Sequence, residues 1–273
     1  MIDLLTVGFL QRALLAGIMV SVLCGVLSVF VILRRMAFIG VGISHSAFGG
    51  VALGFLLGVP PLWTGVTFSV LVAIIIEWAR KHSRIGEDAA IGILFSASMA
   101  VGVVLLHLSR TYNVDVFGFL FGNILAVARG ELAEIFVLTV AALSVFFAFY
   151  KELVFLSFDE EMAWVSGVPV GMLRYVFMVV MAVVVIMSMY LVGIILVEAL
   201  LVIPGATARN LTRHIRAMVM VSIAVSTGST VGGLWLSYQL DLPSGAAVVL
   251  LLAVLFFFSI LPHRLGRPLR AST

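Results

Sequence analysis

Three ionisable side chains fall inside or beside long apolar stretches of this sequence. His45 lies in ISHS (43–46), Asp115 in YNVD (112–115) and Glu198 in LVEAL (196–200). A charge placed in hydrocarbon costs at least about 2.5 kcal/mol on insertion scales, so ionisable residues in such places are candidates for function.

These three side chains are of the types that bind divalent metal cations. A neutral imidazole binds Zn²⁺, Mn²⁺ or Fe²⁺, and carboxylate oxygens bind the same ions. A cation that crosses hydrocarbon needs successive ligands that bind it and then release it. The sequence predicts a pathway with Asp115 at the outer mouth, Glu198 within reach of that mouth, and His45 deeper toward the cytoplasm.

Each of the three residues also has a structural interpretation. Asp115 could cap a helix or be a solvated loop carboxylate, and His45 could be a histidine that serves packing alone. Glu198 has apolar neighbours on both sides and no basic residue near it in sequence. Its carboxylate must therefore be protonated, paired with a cation or exposed to a cavity.

The sequence contains none of the common catalytic patterns. It has no HExxH zinc-protease motif, no GxSxG nucleophile motif and no GK[ST] nucleotide-binding loop. Cys24 is the single cysteine, which excludes an intramolecular disulfide and a thiolate metal cluster. We expect no permanently bound cofactor and no ATP hydrolysis by this chain.

The composition identifies the class of protein that must position these residues. Of the 273 residues, 63% are hydrophobic and 11% are charged, whereas soluble domains carry roughly 25% charged residues. The mean hydropathy is +1.27. The sequence predicts an all-α, polytopic membrane protein with a single transmembrane domain over residues 1–273 and no separate soluble domain.

Apolar runs between charged or turn-rich segments predict about nine transmembrane segments. Eight are expected near 12–33, 43–58, 62–79, 89–109, 132–150, 175–192, 217–237 and 245–261. Both 151–174 and 206–216 carry basic residues, so the chain must cross twice between them. We therefore predict a short, re-entrant-like ninth helix at about 193–204, with Gly193 at the bend and Pro204 at its inner end.

The distribution of basic residues predicts the orientation of these segments. Under this topology, thirteen of the sixteen Lys and Arg residues lie on one side, and only Arg12, Arg110 and Arg129 lie on the other. The side rich in Lys and Arg is the cytoplasm by the positive-inside rule. We expect a multi-pass protein of the cell membrane with its amino terminus outside and its carboxyl terminus in the cytoplasm.

The segment 157–174 is expected to form a short amphipathic helix on the cytoplasmic side. Asp159 or Ser157 can cap its start, Glu160 and Glu161 favour its positive end, and Gly167 stops it. Because so short a helix is marginal alone in water, it needs a docking surface. That surface is either the protein's own inner face or a groove on a cytoplasmic partner.

Six motifs in order along the chain resemble one family of membrane proteins. They are RMAFIG (35–40) followed by SH (44–45); GED (86–88) followed by IGI (91–93); NVD (113–115) followed by LFGNIL (120–125); FD (158–159) with Ala163 and Gly167; ALLVIP (199–204) with AR (208–209); and Ser237, Asp241, Pro243 and Gly245. Together they resemble the permease subunits of ATP-binding-cassette (ABC) importers of zinc, manganese or iron in bacteria and archaea. Glu198 stands where the family pattern leads one to expect a small residue such as Ser or Thr.

The resemblance implies a set of partners. It implies a homodimer around one central pathway in membrane lipid, with two cytoplasmic ATP-binding-cassette ATPase subunits and an extracytoplasmic metal-binding protein, and it implies no nucleic acid. The divalent cation would be a substrate rather than a cofactor. Segment 157–174 would then be the coupling helix, with its ATPase contacts at Phe158, Asp159, Glu160, Glu161, Ala163 and Gly167.

Three other functions remain open at this point. A permease for an iron siderophore or cobalamin would need a wide cavity rather than cation ligands. An intramembrane enzyme would need an acid–base or nucleophile constellation, which is not visible in the sequence. A purely structural scaffold would not explain why His45 and Glu198 lie in apolar segments.

Overall fold

The computed structural model describes residues 8–109, 124 and 127–265. Nine helices within these residues are long and apolar enough to cross a membrane, which confirms the all-α, polytopic class. They are α1 (Gly8–Leu33), α2 (Ile39–Leu57), α3 (Pro61–His82), α4 (Glu87–Ser109), α5 (Arg129–Ala148), α8 (Val170–Val192), α9 (Ile194–Leu211), α10 (Ile215–Leu240) and α11 (Ser244–Leu265). Two short helices, α6 (Tyr150–Phe158) and α7 (Glu160–Val165), lie between α5 and α8.

Helix α9 corrects the prediction of a half-length segment at 193–204. Gly193 separates α8 from α9 with a φ of 90°, as expected for a bend, but α9 continues for 18 residues to Leu211 with Pro204 inside it. At 1.5 Å per residue this is about 27 Å, close to the thickness of the hydrocarbon core. The crossing is therefore a full one, and the alternation of sides that we predicted is retained.

A contact with α1 accompanies the passage of α9 through Pro204. Proline has no amide hydrogen and disturbs the helical hydrogen bonds of the preceding turn. The next amide, that of Gly205, donates to Ser28 Oγ of α1 at 2.8 Å. In lipid a freed backbone group must find such a partner, so the helix continues where the sequence alone suggested that it ends.

The helices differ in how deeply they lie within the fold. In α1, 72% of the most apolar window is buried, and in α2 and α8 the share is 67%. In α4, α5 and α11 it is only 22%. The helices with the site residues His45 and Glu198 are α2 and α9, and both border the buried core that α1 and α8 form.

Glycines bring α2 close to α3. A Cβ atom at Gly50 would lie 2.7 Å from the carbonyl oxygen of Thr64 and 2.8 Å from the Cα of Gly65. Both are backbone atoms, which cannot move aside cheaply, so only glycine fits at this position. The small-residue pattern predicted for the second span thus produces direct backbone packing.

Contacts between helix ends define one end of the molecule, which we call the basic end. There the Arg34 guanidinium lies 4.5 Å from the centre of the Phe177 ring, which joins the loop after α1 to the start of α8. Arg174 Nε donates to Glu77 Oε1 at 3.0 Å and joins the start of α8 to the end of α3. At the opposite end, Arg12 Nε donates to the Val127 carbonyl at 3.0 Å.

Candidate functional site

Glu198 and His45 meet at the contact between α2 and α9. Ser44 Oγ donates a hydrogen bond of 2.8 Å to Glu198 Oε1. His45 Nδ1 lies 3.4 Å from the same carboxylate oxygen. Two residues that sequence analysis selected separately therefore form one polar group inside an apolar bundle.

The hydrogen bonds of His45 determine which ring nitrogen can bind a metal. Nδ1 lies 3.0 Å from the backbone carbonyl oxygen of Val41, and a carbonyl only accepts. Nδ1 therefore carries the hydrogen, and in a neutral imidazole the lone pair is on Nε2. A backbone carbonyl that holds a histidine in this way is a common arrangement around metal ligands. The ring also packs edge-on against Phe95, with ring centres 5.2 Å apart.

Both side chains can be reached from outside the chain. The side chain of His45 is 33% exposed and that of Glu198 is 24% exposed, whereas Ser44 is fully buried. One imidazole nitrogen and one carboxylate suit zinc, manganese and iron alike. Within the residues that the structure describes, no group of three or more His, Cys, Asp and Glu could hold a metal ion. The pair alone is therefore an incomplete coordination sphere.

The structure changes the predicted order of the pathway. Glu198 and His45 are in contact, so they lie at one level rather than one behind the other. Asp115, the expected ligand at the outer mouth, lies outside the described residues. Glu198 accepts a hydrogen bond from Ser44 and its side chain is 24% exposed, so the carboxylate is neither without a partner nor fully enclosed.

The exposed surface of α4 next to this pair has two different stripes. One stripe is made of large apolar residues and includes Ile93, Val101, Val104 and Leu108. The other consists of residues three and four positions apart that are small or polar except for Val103, namely Gly92, Ser96, Ala100, Val103 and His107. We call the second one the small-residue stripe of α4. Lipid favours the first type of surface, whereas close helix contact or a polar path favours the second.

The short helix α7 confirms the predicted amphipathic helix between residues 157 and 174. Its N-cap is Asp159, whose carboxylate accepts from the Met162 amide at 2.9 Å; of the two capping residues proposed from the sequence, it is therefore the one used. Gly167 follows the helix with a φ of 85°, a conformation that favours glycine. The expected start and stop signals are both in place.

One side of α7 packs against other residues of this chain, and the other side is exposed. Ala163 is fully buried and packs with Leu156, Val170 and Leu173. It therefore anchors α7 inside this chain and is not available as a contact for a partner, which corrects its predicted role. Phe158, a predicted contact, is 67% exposed.

Sequence reasoning did not select the other exposed apolar residues of this helix. Trp164 is 72% exposed, Val165 is 73% exposed and Met162 is 56% exposed. These three side chains of α7 and Phe158, at the end of α6, are the exposed large apolar residues of this segment. The signal was present in the sequence as large apolar residues beside the acidic pair Glu160 and Glu161.

A network of four charged residues lies beneath α7. Arg174 Nη1 donates to Glu160 Oε2 at 2.5 Å, and Arg174 Nε donates to Glu77 Oε1 at 3.0 Å. Arg80 Nη2 donates to Glu77 Oε1 at 2.7 Å. We call these four residues the Arg174 network. Glu77 is only 2% exposed, although its place near a span end suggests a side chain that extends to water.

A comparison with family models gives one match. Residues 6–263 match the model described as the ABC 3 transport family. This covers most of the chain, including His45, Asp115, Glu198 and segment 157–174.

Two characterised relatives have similar lengths. The manganese transport system membrane protein MntC of Halalkalibacterium halodurans is 39% identical over 261 residues, which is 94% of this chain and 89% of the relative. The high-affinity zinc uptake system membrane protein ZnuB of Haemophilus influenzae is 36% identical over 248 residues, which is 91% of this chain and 95% of the relative.

Two solved structures are similar in fold. A chain of PsaBC from Streptococcus pneumoniae, solved in complex with a Fab, matches with a TM-score of 0.82 and 36% identity, covering 94% of this chain and 93% of that chain. An inward-facing putative metal-chelate type ABC transporter matches with a TM-score of 0.73 and 18% identity, covering 95% of this chain and 88% of that chain. The second similarity concerns the fold alone.

Proposed function

Because this chain belongs to the ABC 3 transport family, we propose that it is the membrane-spanning permease subunit of an ATP-driven importer of divalent metal cations. Relatives that align along nearly its whole length are named as membrane proteins of manganese and zinc uptake systems. The nine long apolar helices within its described residues fit a subunit that lies in the bilayer.

The pairing of His45 with Glu198 is the observation that carries this proposal within the structure. An imidazole and a carboxylate, the side-chain types that bind divalent cations, come from different helices and approach to 3.4 Å between Nδ1 and Oε1, and the Ser44 hydroxyl donates to the same carboxylate. Two protein ligands hold a divalent cation less tightly than a complete sphere, which suits a site that must release its cation during transport. Asp115 is proposed as an earlier ligand at the outer mouth.

A second copy of this chain would complete the site. In a two-fold dimer each ligand appears twice around the axis, so two His45–Glu198 pairs could face one pathway. The small-residue stripe of α4 supports this arrangement, because it is exposed on the single chain and its Ser96 directly follows Phe95, whose ring packs against His45. The homodimer is therefore part of the proposal.

The remaining partners follow from the energy source and the direction of import. Since the chain has no nucleotide-binding loop, ATP hydrolysis is assigned to a pair of separate ATPase subunits at the basic end. Helix α7 with Phe158, Asp159, Glu160, Glu161 and Gly167 is proposed as the segment that contacts them. An extracytoplasmic metal-binding protein would deliver the cation at the opposite end, near Asp115, and the basic end would face the cytoplasm.

The ligand types suit manganese, zinc and iron alike, so a measurement of uptake decides among these metals. Cells expressing the chain with its neighbouring ATPase and binding protein should accumulate radiolabelled Mn²⁺ or Zn²⁺ above cells that lack the chain, and Fe²⁺ is tested in parallel. His45→Ala and Asp115→Asn should each abolish this uptake at unchanged membrane abundance. Glu198→Gln should change the rate or the order of metal preference, because it removes a charge and keeps the shape.

Two matched substitutions control for the loss of a histidine and of an aspartate elsewhere. His82→Ala removes an imidazole that stacks on Trp78 at the basic end. Asp241→Asn keeps a residue type that tolerates its left-handed φ of 53°. Both should import like wild type. Full uptake by the double variant His45→Ala, Asp115→Asn would refute the ligand assignment.

A further inference from the structure

Two anchors of different kinds hold α7 against the rest of the chain. The apolar anchor is Ala163, which packs on Leu156 of α6 and on Val170 and Leu173 of α8. Helices α6 and α8 come directly before and after α7 in the sequence, so this apolar contact fixes α7 only against its immediate neighbours. The ionic anchor is Glu160, which binds Arg174 and through it reaches a more distant part of the chain.

Arg174 joins two carboxylates from different helices. Its Nη1 donates to Glu160 of α7 and its Nε donates to Glu77 of α3. The side chain of Arg174 is 7% exposed and that of Glu77 is 2% exposed, so water cannot replace the contact between Arg174 and Glu77 at low cost. When one partner of such a buried group is lost, the remaining charge is strongly destabilised. Arg174 and Glu77 are therefore expected to move together, and the hydrogen bond from Arg174 to Glu160 connects α7 to this pair.

The far end of this connection lies on the helix that supports the cation site. Glu77 belongs to α3, and α3 packs directly on α2 where Gly50 meets Thr64 and Gly65. Helix α2 carries His45. A continuous set of packed contacts thus leads from α7 through Arg174 to α3 and then to α2.

We infer that Arg174 is a positioning residue for energy coupling. It ties the position of α7 to that of α3, so a displacement of α7 by the ATPase is passed to the helices that hold the cation ligands. This inference rests on the proposed function, in which α7 contacts the ATPase. It concerns how hydrolysis is used for transport, rather than whether the ATPase binds.

The test uses the complete complex of permease, ATPase and binding protein, reconstituted in proteoliposomes with Mn²⁺, Zn²⁺ and Fe²⁺ as probes. The main variant is Glu160→Gln, because the side chain of Glu160 is 45% exposed and its loss leaves the buried Arg174–Glu77 pair in place. The measured quantities are the cations imported per ATP hydrolysed and the amount of ATPase that co-purifies. We expect the number of cations imported per ATP hydrolysed, the import ratio, to fall at least fivefold, and to fall by more than the amount of co-purified ATPase, because Glu160 also belongs to the segment proposed to contact the ATPase.

Glu152→Gln is the matched control. It removes the same charge from α6, the helix that precedes α7, and it lies outside the Arg174 network. We expect its import ratio to stay within twofold of wild type.

A second set of variants tests whether Glu160 acts through Arg174. Arg174→Gln should lower the import ratio, and adding Glu160→Gln to it should lower the ratio no further. Arg174→Lys keeps the charge and should recover part of the coupling. If the Arg174 variants do not assemble, the comparison of Glu160→Gln with Glu152→Gln decides the inference alone.

Three outcomes would overturn the inference. An unchanged import ratio in Glu160→Gln would show that the contact is not used in coupling. A loss of co-purified ATPase in proportion to lost import would show that Glu160 serves docking alone. A wild-type complex that imports none of Mn²⁺, Zn²⁺ and Fe²⁺ would overturn the proposed function itself, and this outcome is distinguished from the other two because it is seen without any substitution.

Discussion

At the scale of single residues, the candidate site depends on a hydroxyl that connects two helices. Ser44 is buried in α2, and its Oγ donates to the carboxylate of Glu198 in α9. A hydrogen bond to a charged group contributes about 1.5–3 kcal/mol. Ser44 therefore holds Glu198 beside His45, although Ser44 is too buried to be a principal ligand itself.

The variant Ser44→Ala tests this role. Without its donor, the Glu198 carboxylate gains rotational freedom, so we expect the apparent affinity for the imported cation to weaken by about tenfold, which corresponds to about 1.4 kcal/mol. This apparent affinity is measured as the concentration of metal that gives half-maximal uptake.

Ser46→Ala is the matched control for this prediction. The Ser46 hydroxyl donates to the Gly42 carbonyl of its own helix at 2.6 Å, so its loss leaves Glu198 untouched. Equal affinities in the two serine variants would contradict the positioning role of Ser44.

At the scale of helices, α9 joins the cation site to the centre of the bundle. Glu198 lies before Pro204, and after the proline Gly205 rests directly on α1. A Cβ atom at Gly205 would lie 2.4 Å from the Ser28 carbonyl oxygen and 2.6 Å from its carbonyl carbon. Because these are backbone atoms, a side chain at position 205 must push the two helices apart.

We therefore expect Gly205→Ala to destabilise the protein by about 1–3 kcal/mol, as overpacking typically does. The thermal midpoint of the purified protein in detergent should fall, and uptake should fall as well because α9 carries Glu198. Gly228→Ala is the control, since a Cβ atom there has no neighbour within 4 Å among the described residues. A midpoint for Gly205→Ala at or above that of Gly228→Ala would show that α1 and α9 are not packed this closely.

At the scale of the whole molecule, the distribution of basic residues and the number of crossings predict the same arrangement of loops on the two sides. Loops that the sequence assigned to a single side meet at the basic end through the Arg34–Phe177 and Arg174–Glu77 contacts. The full crossing by α9 keeps the loop at 212–214 on this side. From the positive-inside rule we predict that the basic end faces the cytoplasm.

Labelling of single cysteines in a Cys24→Ser background tests this orientation. In intact cells, Arg213→Cys between α9 and α10 should be protected from a membrane-impermeant thiol reagent. Gln239→Cys, near the opposite end of α10, should react with it. Reaction at position 213 from outside, with protection at position 239, would reverse the proposed orientation.

The sequence by itself determined the class of protein, the number of crossings and the short helix α7. These features depend on local properties, because hydropathy adds up along a span and a cap such as Asp159 acts within one turn. The ligand types were also visible, since a histidine or a glutamate in an apolar stretch stands out wherever the chain folds.

Only the tertiary structure decided which of these residues share a site. Ser44 and Glu198 are 154 positions apart, and no local pattern predicts that α2 and α9 bring them together. In the same way, the place of Glu77 near a span end suggests a side chain that reaches water, whereas in the fold it is buried beside Arg174 of another helix. Helix α9 continues beyond Pro204, and the next residue, Gly205, contacts Ser28 of another helix, α1. In each case the deciding partner comes from a distant part of the chain, and packing alone determines where it lies.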